Sequence, residues 1–180
     1  MTSLVVSATN VLSFLSLLGG LLAVLLFCIL VTPLKKSGWG KTIAEFFGKN
    51  SLLLSSLIAL GAAASSLFYS EIAGFLPCVL CWWQRIFLYP QAIILPIASF
   101  KKNYSLKTYS LALSAAGFLV ALYHTYIQFG GEPVAPCVST GASCQVLYFL
   151  QYGYVTIPTM SLTAFALMIL FMLLPTGEVD

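Results

Sequence analysis

Charge is what this sequence has least of. Of 180 residues only eight are Lys or Arg and five are Asp or Glu, so charged side chains make up 7% of the chain against 60% hydrophobic. A water-soluble domain carries roughly a quarter of its residues as charges, and that class is excluded here. A mean hydropathy of +1.00 says the same, and the composition reads as an integral membrane protein. The net charge of +3 is spread over a few Lys-bearing loops, a pattern that suits lipid head groups and not nucleic acid. Low-complexity stretches, clear internal repeats and recognisable haem, flavin or metal motifs are also lacking.

What fills the chain is apolar runs. Val11–Val31, Leu52–Ser70, Trp82–Phe100, Tyr109–Phe129 and Ile157–Leu174 each approach the roughly 20 residues that a hydrocarbon core demands. Five spans leave one compact helical domain. Lys35, Lys36, Lys41 and Lys49 fall in the first connection and Lys101, Lys102 and Lys107 in the third, which marks both as cytoplasmic. The connections carrying Glu71 and Glu132 contain no Lys and by alternation face outward, so the N-terminus is expected outside and the C-terminus inside. The first run has no basic n-region and is followed by a Lys-rich stop, so it is expected to stay as a helix and not to be a cleaved signal.

The loop "KKSGWGKTIAEFFGKN" mixes Lys with aromatic residues between Gly38, Gly40 and Gly48, predicting a short interfacial helix. The segment from Gly130 to Thr156 is long for a connection and therefore a functional candidate. Within it "QVLYFLQYG", Gln145 to Gly153, would set Val146, Leu147, Phe149 and Leu150 on one helical face. That pattern predicts a short amphipathic helix on the outer surface, with Tyr148, Tyr152 and Tyr154 as interface anchors.

Five cysteines occur, at 28, 78, 81, 137 and 144. Cys28 lies in "LLFCILV", where a thiol behaves as a small hydrophobe. The other four face the oxidising side by the topology above. In "PCVLCWWQR", Pro77 predicts a helix start, which sets Cys78 and Cys81 in a first turn where the helix dipole favours thiolate. At 100° per residue, Cys78, Cys81 and Arg85 fall at about 0°, 300° and 340° and share a face. An arginine in a span costs roughly 2.5–3.5 kcal/mol at midplane on the insertion scale. Snorkelling is one account of Arg85; beside a dithiol that can carry negative charge, Arg85 reads as stabilising a thiolate or an anionic ligand. Trp82 and Trp83 read as aromatic-belt residues or the wall of a flat pocket. His124, the only histidine, sits near the outer end of its span, placed either to donate to a ligand carbonyl or to cap a backbone group.

Cys137 and Cys144 enclose "VSTGAS", flexible enough to let their Cα atoms reach the usual ~6 Å of a disulfide. So small a ring adds little stability, so the bond reads as exchangeable. Two widely separated pairs in an oxidising compartment make a poor zinc set. Electrons could pass from a soluble dithiol to the loop disulfide and on to the membrane pair by successive thiolate attack, and a lipid-soluble quinone near Cys81 and Arg85 fits the missing terminal acceptor.

These residues carry a resemblance. "PCVLCWWQR", Tyr89-Pro90, the loop with Cys137 and Cys144, and "IPTMSL" opening the last span are similar to the DsbB/BdbC disulfide-bond-formation family over about Leu52 to Leu174. The resemblance implies a four-helix bundle that reoxidises a DsbA-like, thioredoxin-fold dithiol oxidase and passes electrons to ubiquinone or menaquinone in a bacterial cell membrane. It implies that Cys137 forms the mixed disulfide with the partner, Cys144 exchanges with Cys78, and Cys81 sits against the quinone with Arg85 at its ring; Trp82 and His124 are further candidates there. The vitamin K epoxide reductase family is a nearby alternative with a related core. A non-catalytic membrane scaffold or transporter with structural disulfides, and the same thiols run in the reducing direction, are the remaining readings. The chain departs from the pattern in residues 1–50, expected to be an extra N-terminal transmembrane helix and basic loop ahead of a catalytic bundle in 51–180.

Overall fold

In the computed structural model, residues 2–32, 38–134, 137 and 142–175 are described. Lys35 and Lys36 of the first basic loop lie outside them. Six α-helices follow in order: α1 (Ser3–Val31), α2 (Gly38–Lys49), α3 (Ser51–Leu67), α4 (Val79–Phe100), α5 (Leu106–Gln128) and α6 (Ile157–Leu173). No strand occurs among the described residues. The fold is all-α with an N-terminal helix ahead of the bundle. The N-terminal helix starts eight residues before its apolar run, because "SLVVSATN" carries enough apolar side chains to continue it. Helices α1, α5 and Ser51–Ile72 (α3 with its extension) are long and apolar enough to cross a membrane. Helix α4 matches them in length but carries Gln84, Arg85 and Gln91, all buried, and α6 is shorter at 17 residues. The chain is an integral membrane protein.

Helices α3, α4, α5 and α6 form a closed ring in which each packs on the next and α6 returns to α3. Leu52 and Ala59 from α3, Leu88 and Leu95 from α4, Ala121 from α5, and Phe165 and Met168 from α6 fill its centre. A side chain at Gly117 would overlap the Phe165 ring, so glycine there is what lets α5 and α6 approach. One polar knot crosses the bundle: Ser110 and Ser114 of α5 donate to Gln91 Oε1 at 2.6 and 3.0 Å. Outward, Leu21, Val24, Ile93 and Leu119 remain more than 60% exposed, as a lipid-facing surface requires.

The N-terminal helix lies against α6, and Leu26 and Ile29 join Leu167, Leu170 and Phe171 in a second apolar cluster at the lysine-bearing end. The interfacial helix expected in the first loop is present as α2, and Phe47 stacks on Phe171 at 5.5 Å. Lys49, Tyr104, Lys107 and Leu174 gather at this end, with Lys107 donating to the Leu174 carbonyl at 3.1 Å.

The opposite end holds the cysteines and differs from expectation. Residues 145–153 are not helical; they run as turns that close in a bridge between Gln151 and Val155. Nine residues make a marginal helix unaided, and here tertiary contacts win. Tyr148 stacks on Phe75 at 4.3 Å and Phe149 packs on Tyr69 at 5.5 Å, while Tyr152 and Gly153 turn the chain at positive φ. Tyr148, read as a surface anchor, is instead a strut, donating to the Leu76 carbonyl at 2.9 Å. The strand-like return then enters α6 through Thr156, whose N–H donates to Thr159 Oγ1 at 2.7 Å.

Candidate active site

Helix α4 begins one residue later than the Pro77 signal suggests: Cys78 is its N-cap and Cys81 occupies the first turn. The cap geometry turns Cys78 back over the helix, so that the Cys81 N–H donates to Cys78 Sγ at 3.4 Å and the two sulfur atoms lie 2.9 Å apart as free thiols. Cys137 and Cys144 are joined as a disulfide, with Cα atoms 5.9 Å apart. Cys78 and Cys144, both almost fully buried, pack in one cluster with Ile127, and Cys81, Tyr123 and Cys137 pack against it. Cys78, Cys81, Cys137 and Cys144 thus converge, although the sequence separates the pairs by most of two helices. Cys28 stands apart, exposed on α1.

His124 joins the two pairs. Its Nε2 lies 3.6 Å from Cys78 Sγ and 3.2 Å from the Cys144 carbonyl, and its Nδ1 lies 3.0 Å from Gln84 Nε2. If Gln84 donates to Nδ1, Nε2 carries the proton and donates toward Cys144 O and Cys78 Sγ. The Cys78 thiol, just ahead of α4, is held well below its usual range, first by the hydrogen bond from Cys81 and further by His124, against the opposing effect of burial. Cys78, Cys81 and His124 also set three donor atoms within 4.8 Å of one another, a grouping that weighing the two cysteine pairs alone does not anticipate.

Two cavities flank this cluster. The smaller, about 30 Å³, is bordered by Cys78, Cys81, His124 and Tyr148 under the loop. The larger, about 330 Å³, opens between α1, α3, α4 and α6, and Cys81 and Arg85 line it. Arg85 is 9% exposed. Its Nε donates to Ser66 Oγ at 2.9 Å and its Nη2 to the Ser66 carbonyl at 3.1 Å, while Trp82 and Tyr89 lie 5.0 and 6.0 Å from the guanidinium carbon. Among the described residues no carboxylate pairs with it, the one salt bridge being Lys41–Glu45 on the surface of α2. A guanidinium offers more N–H donors than Ser66 uses, so this buried cation retains capacity for an anion or a carbonyl oxygen.

The shared face of α4 divides between the two cavities. Cys81 borders both, Arg85 only the larger, and Cys78 and His124 only the smaller. Trp82, 54% exposed, covers Arg85 from the lipid side and is not part of the cavity wall. Sequence reasoning missed Ser66, Gln84 and Tyr148. Gln84 carries a readable signal, since a polar side chain inside a span is a functional candidate by default; Ser66 and Tyr148 are found only through contacts between distant elements.

A helical membrane protein with a dithiol at a helix start, a loop disulfide packed over it and a buried arginine without a carboxylate partner among the described residues defines a class of membrane thiol–disulfide protein. Residues 48–175 match the family described as disulfide bond formation protein DsbB. The chain belongs to that family. It is 42% identical over 129 residues to the disulfide bond formation protein C of Bacillus subtilis (strain 168), covering 71% of this chain and 93% of that one. A probable disulfide formation protein of Metapseudomonas resinovorans is 37% identical over 127 residues, covering 69% and 88%. Another from Oceanobacillus iheyensis is 38% identical over 132 residues, covering 72% and 91%. No solved structure matches.

Proposed function

We propose that the chain is a membrane thiol oxidase that reoxidises an extracytoplasmic, DsbA-like thioredoxin-fold dithiol and delivers the electrons to a membrane quinone. The observation that carries this reading is the position of Cys81, which borders both the cavity beneath the loop disulfide and the cavity lined by Arg85. In this reading the cysteine-bearing end faces outward and the end with Lys49, Lys101, Lys102 and Lys107 faces the cytoplasm of a bacterial cell.

The exchange begins when a partner thiolate attacks the Cys137–Cys144 disulfide. Cys137, the less buried of the two, forms the mixed disulfide and Cys144 leaves as thiolate. The second partner thiolate then attacks that mixed disulfide, releasing an oxidised partner and a reduced loop pair. Cys144 attacks Cys78 of an oxidised Cys78–Cys81 pair, and Cys137 closes the loop disulfide again. Two electrons have then moved to Cys78 and Cys81, which leaves the loop pair bridged and the α4 pair as thiols. His124, beside the Cys78 sulfur, is placed to support its negative charge in each direction of this exchange.

The larger cavity suits a quinone head group: it is walled largely by apolar side chains, its volume falls at the small end of ligand pockets, and Cys81 with the unpaired Arg85 lines it. A bound quinone would supply a two-electron, two-proton acceptor. Arg85 would hold negative charge near the Cys81 sulfur one helical turn away, in a medium where an uncompensated charge is costly.

Mixing purified protein with a reduced thioredoxin-fold dithiol and quinone tests the reading. One quinol should form per partner disulfide, and turnover should disappear in Cys81→Ala. Partner oxidation without quinol would contradict it, as would full turnover in Cys81→Ala.

A further inference from the structure

The N-terminal helix α1 lies outside the 48–175 family match, and nothing in the proposed electron path uses it. Its burial pattern nevertheless points to the larger cavity. Along α1 the fully buried positions are Val5, Thr9 and Ser13, then Leu26 and Ile29. Between these two groups no residue is fully buried, and there Leu15, Ser16 and Gly19 line the cavity, with Leu12 beside them just before Ser13. Both ends of the gap are anchored. Near the cysteines, Tyr69 hydrogen-bonds Thr9 at 3.4 Å and Gln151 donates to Asn10 at 3.3 Å; at the other end, Leu26 and Ile29 are clamped on α6.

Gly19-Gly20 fits the same arrangement. Glycine in a helix interior costs about 1 kcal/mol relative to alanine, and small residues in membrane helices mark close approach. A Cβ at Gly19 would sit 3.1 Å from Leu167 Cδ1 and 3.2 Å from Thr163 Cγ2, so glycine lets α1 seat tightly on α6 at the cavity's level. Against α3, on the other side of the cavity, α1 makes few contacts. Without α1 the chamber holding Cys81 and Arg85 would lie open to lipid between α3 and α6.

We propose that α1 is an integral wall of the acceptor site. Resting on the quinone reading above, Leu15, Ser16 and Gly19 form the surface against which the quinone's ring and first isoprenoid unit lie, and the seam between α1 and α3 is where its tail leaves. The extra helix thereby selects acceptors by the bulk of their ring and tail, a restriction that a bundle of α3–α6 alone would not impose.

The test is photolabelling of the full-length protein with an azido-substituted ubiquinone analogue, followed by peptide mapping, in wild type, Val24→Trp and Ser16→Trp. The proposal predicts label within Leu12–Gly19 as well as on α4, removed by excess unlabelled quinone. Val24→Trp, an equally bulky change on the exposed side of the same helix and away from the cavity, should label like wild type. Ser16→Trp should lose at least about tenfold of the label across the whole cavity while its loop disulfide still exchanges with a reduced thioredoxin-fold dithiol at the wild-type rate. Competable label on α3, α4 or α6 with α1 blank, or undiminished label in Ser16→Trp, would overturn the role of α1 and leave the quinone reading standing. Absence of any competable label together with absence of quinol would overturn both.

Discussion

The two cavities beside α4 are built from opposite materials. The small one sits beneath the loop, where His124 links Cys78 to the Cys144 carbonyl and is itself held by Gln84. The large one lies deeper among apolar helices, and its one cation, Arg85, is held by Ser66 with no carboxylate partner among the described residues. Thiol exchange between protein sulfurs needs close packing and a group to carry a thiolate's charge; reduction of a lipid-soluble acceptor needs a dry chamber and a fixed cation. The contrast teaches that a three-residue spacing of cysteines on one helix serves two environments, because the N-cap turn sends Cys78 toward one cavity while Cys81 faces both.

Substitutions should break this division in order of severity. Cys81→Ala removes the one thiol that borders both cavities, so quinol formation should fall by at least about a thousandfold, while alkylation after adding one equivalent of reduced partner should still show the loop disulfide opening. Arg85→Ala should act on one side only. Losing charge-assisted hydrogen bonds worth about 1.5–3 kcal/mol should raise the quinone KM by about ten- to a hundredfold, with the partner KM unchanged in steady-state assays. Arg85→Lys should restore part of that loss.

His124→Ala should act on the other side. It withdraws the second support of the Cys78 thiolate, so the Cys78 pKa rises and its alkylation profile in the reduced protein moves to higher pH, with transfer between the pairs about three- to tenfold slower. Quinone KM should not change. Tyr148→Phe should have the smallest effect. It removes only the 2.9 Å bond to the Leu76 carbonyl, leaves the stacking on Phe75, and should lower thermal stability by about 0.5–1.5 kcal/mol, read as a modest fall in melting temperature in detergent.

The helices were legible because apolar run length and Lys-bearing loops are strong signals: four of the five runs coincide with helices to within a few residues at each end. The convergence of Cys81 with Arg85 was also legible, since both lie on one helix and follow from its pitch. Gln145–Gly153 was misread because its apolar spacing suits a helix, while aromatic stacking from Tyr69 and Phe75, distant in sequence, decides its shape. His124 was visible as a polar intrusion, but which cavity it serves depends on packing between α4, α5 and the loop, which no local pattern encodes. The same holds for Ser66, one of several serines on α3, singled out only by the side chain it accepts from.

The central claim is that electrons entering at the loop pair come to rest on Cys78 and Cys81 until a quinone takes them from the Arg85 side. Acid-quenched differential alkylation tests it directly: fully oxidised protein receives one equivalent of reduced thioredoxin-fold dithiol under anaerobic conditions, with and without quinone. The account predicts label on Cys78 and Cys81, an intact Cys137–Cys144 disulfide, and loss of that label when quinone is added. Label that stays on Cys137 and Cys144 while Cys78 and Cys81 remain unlabelled, whether or not quinone is present, would contradict it.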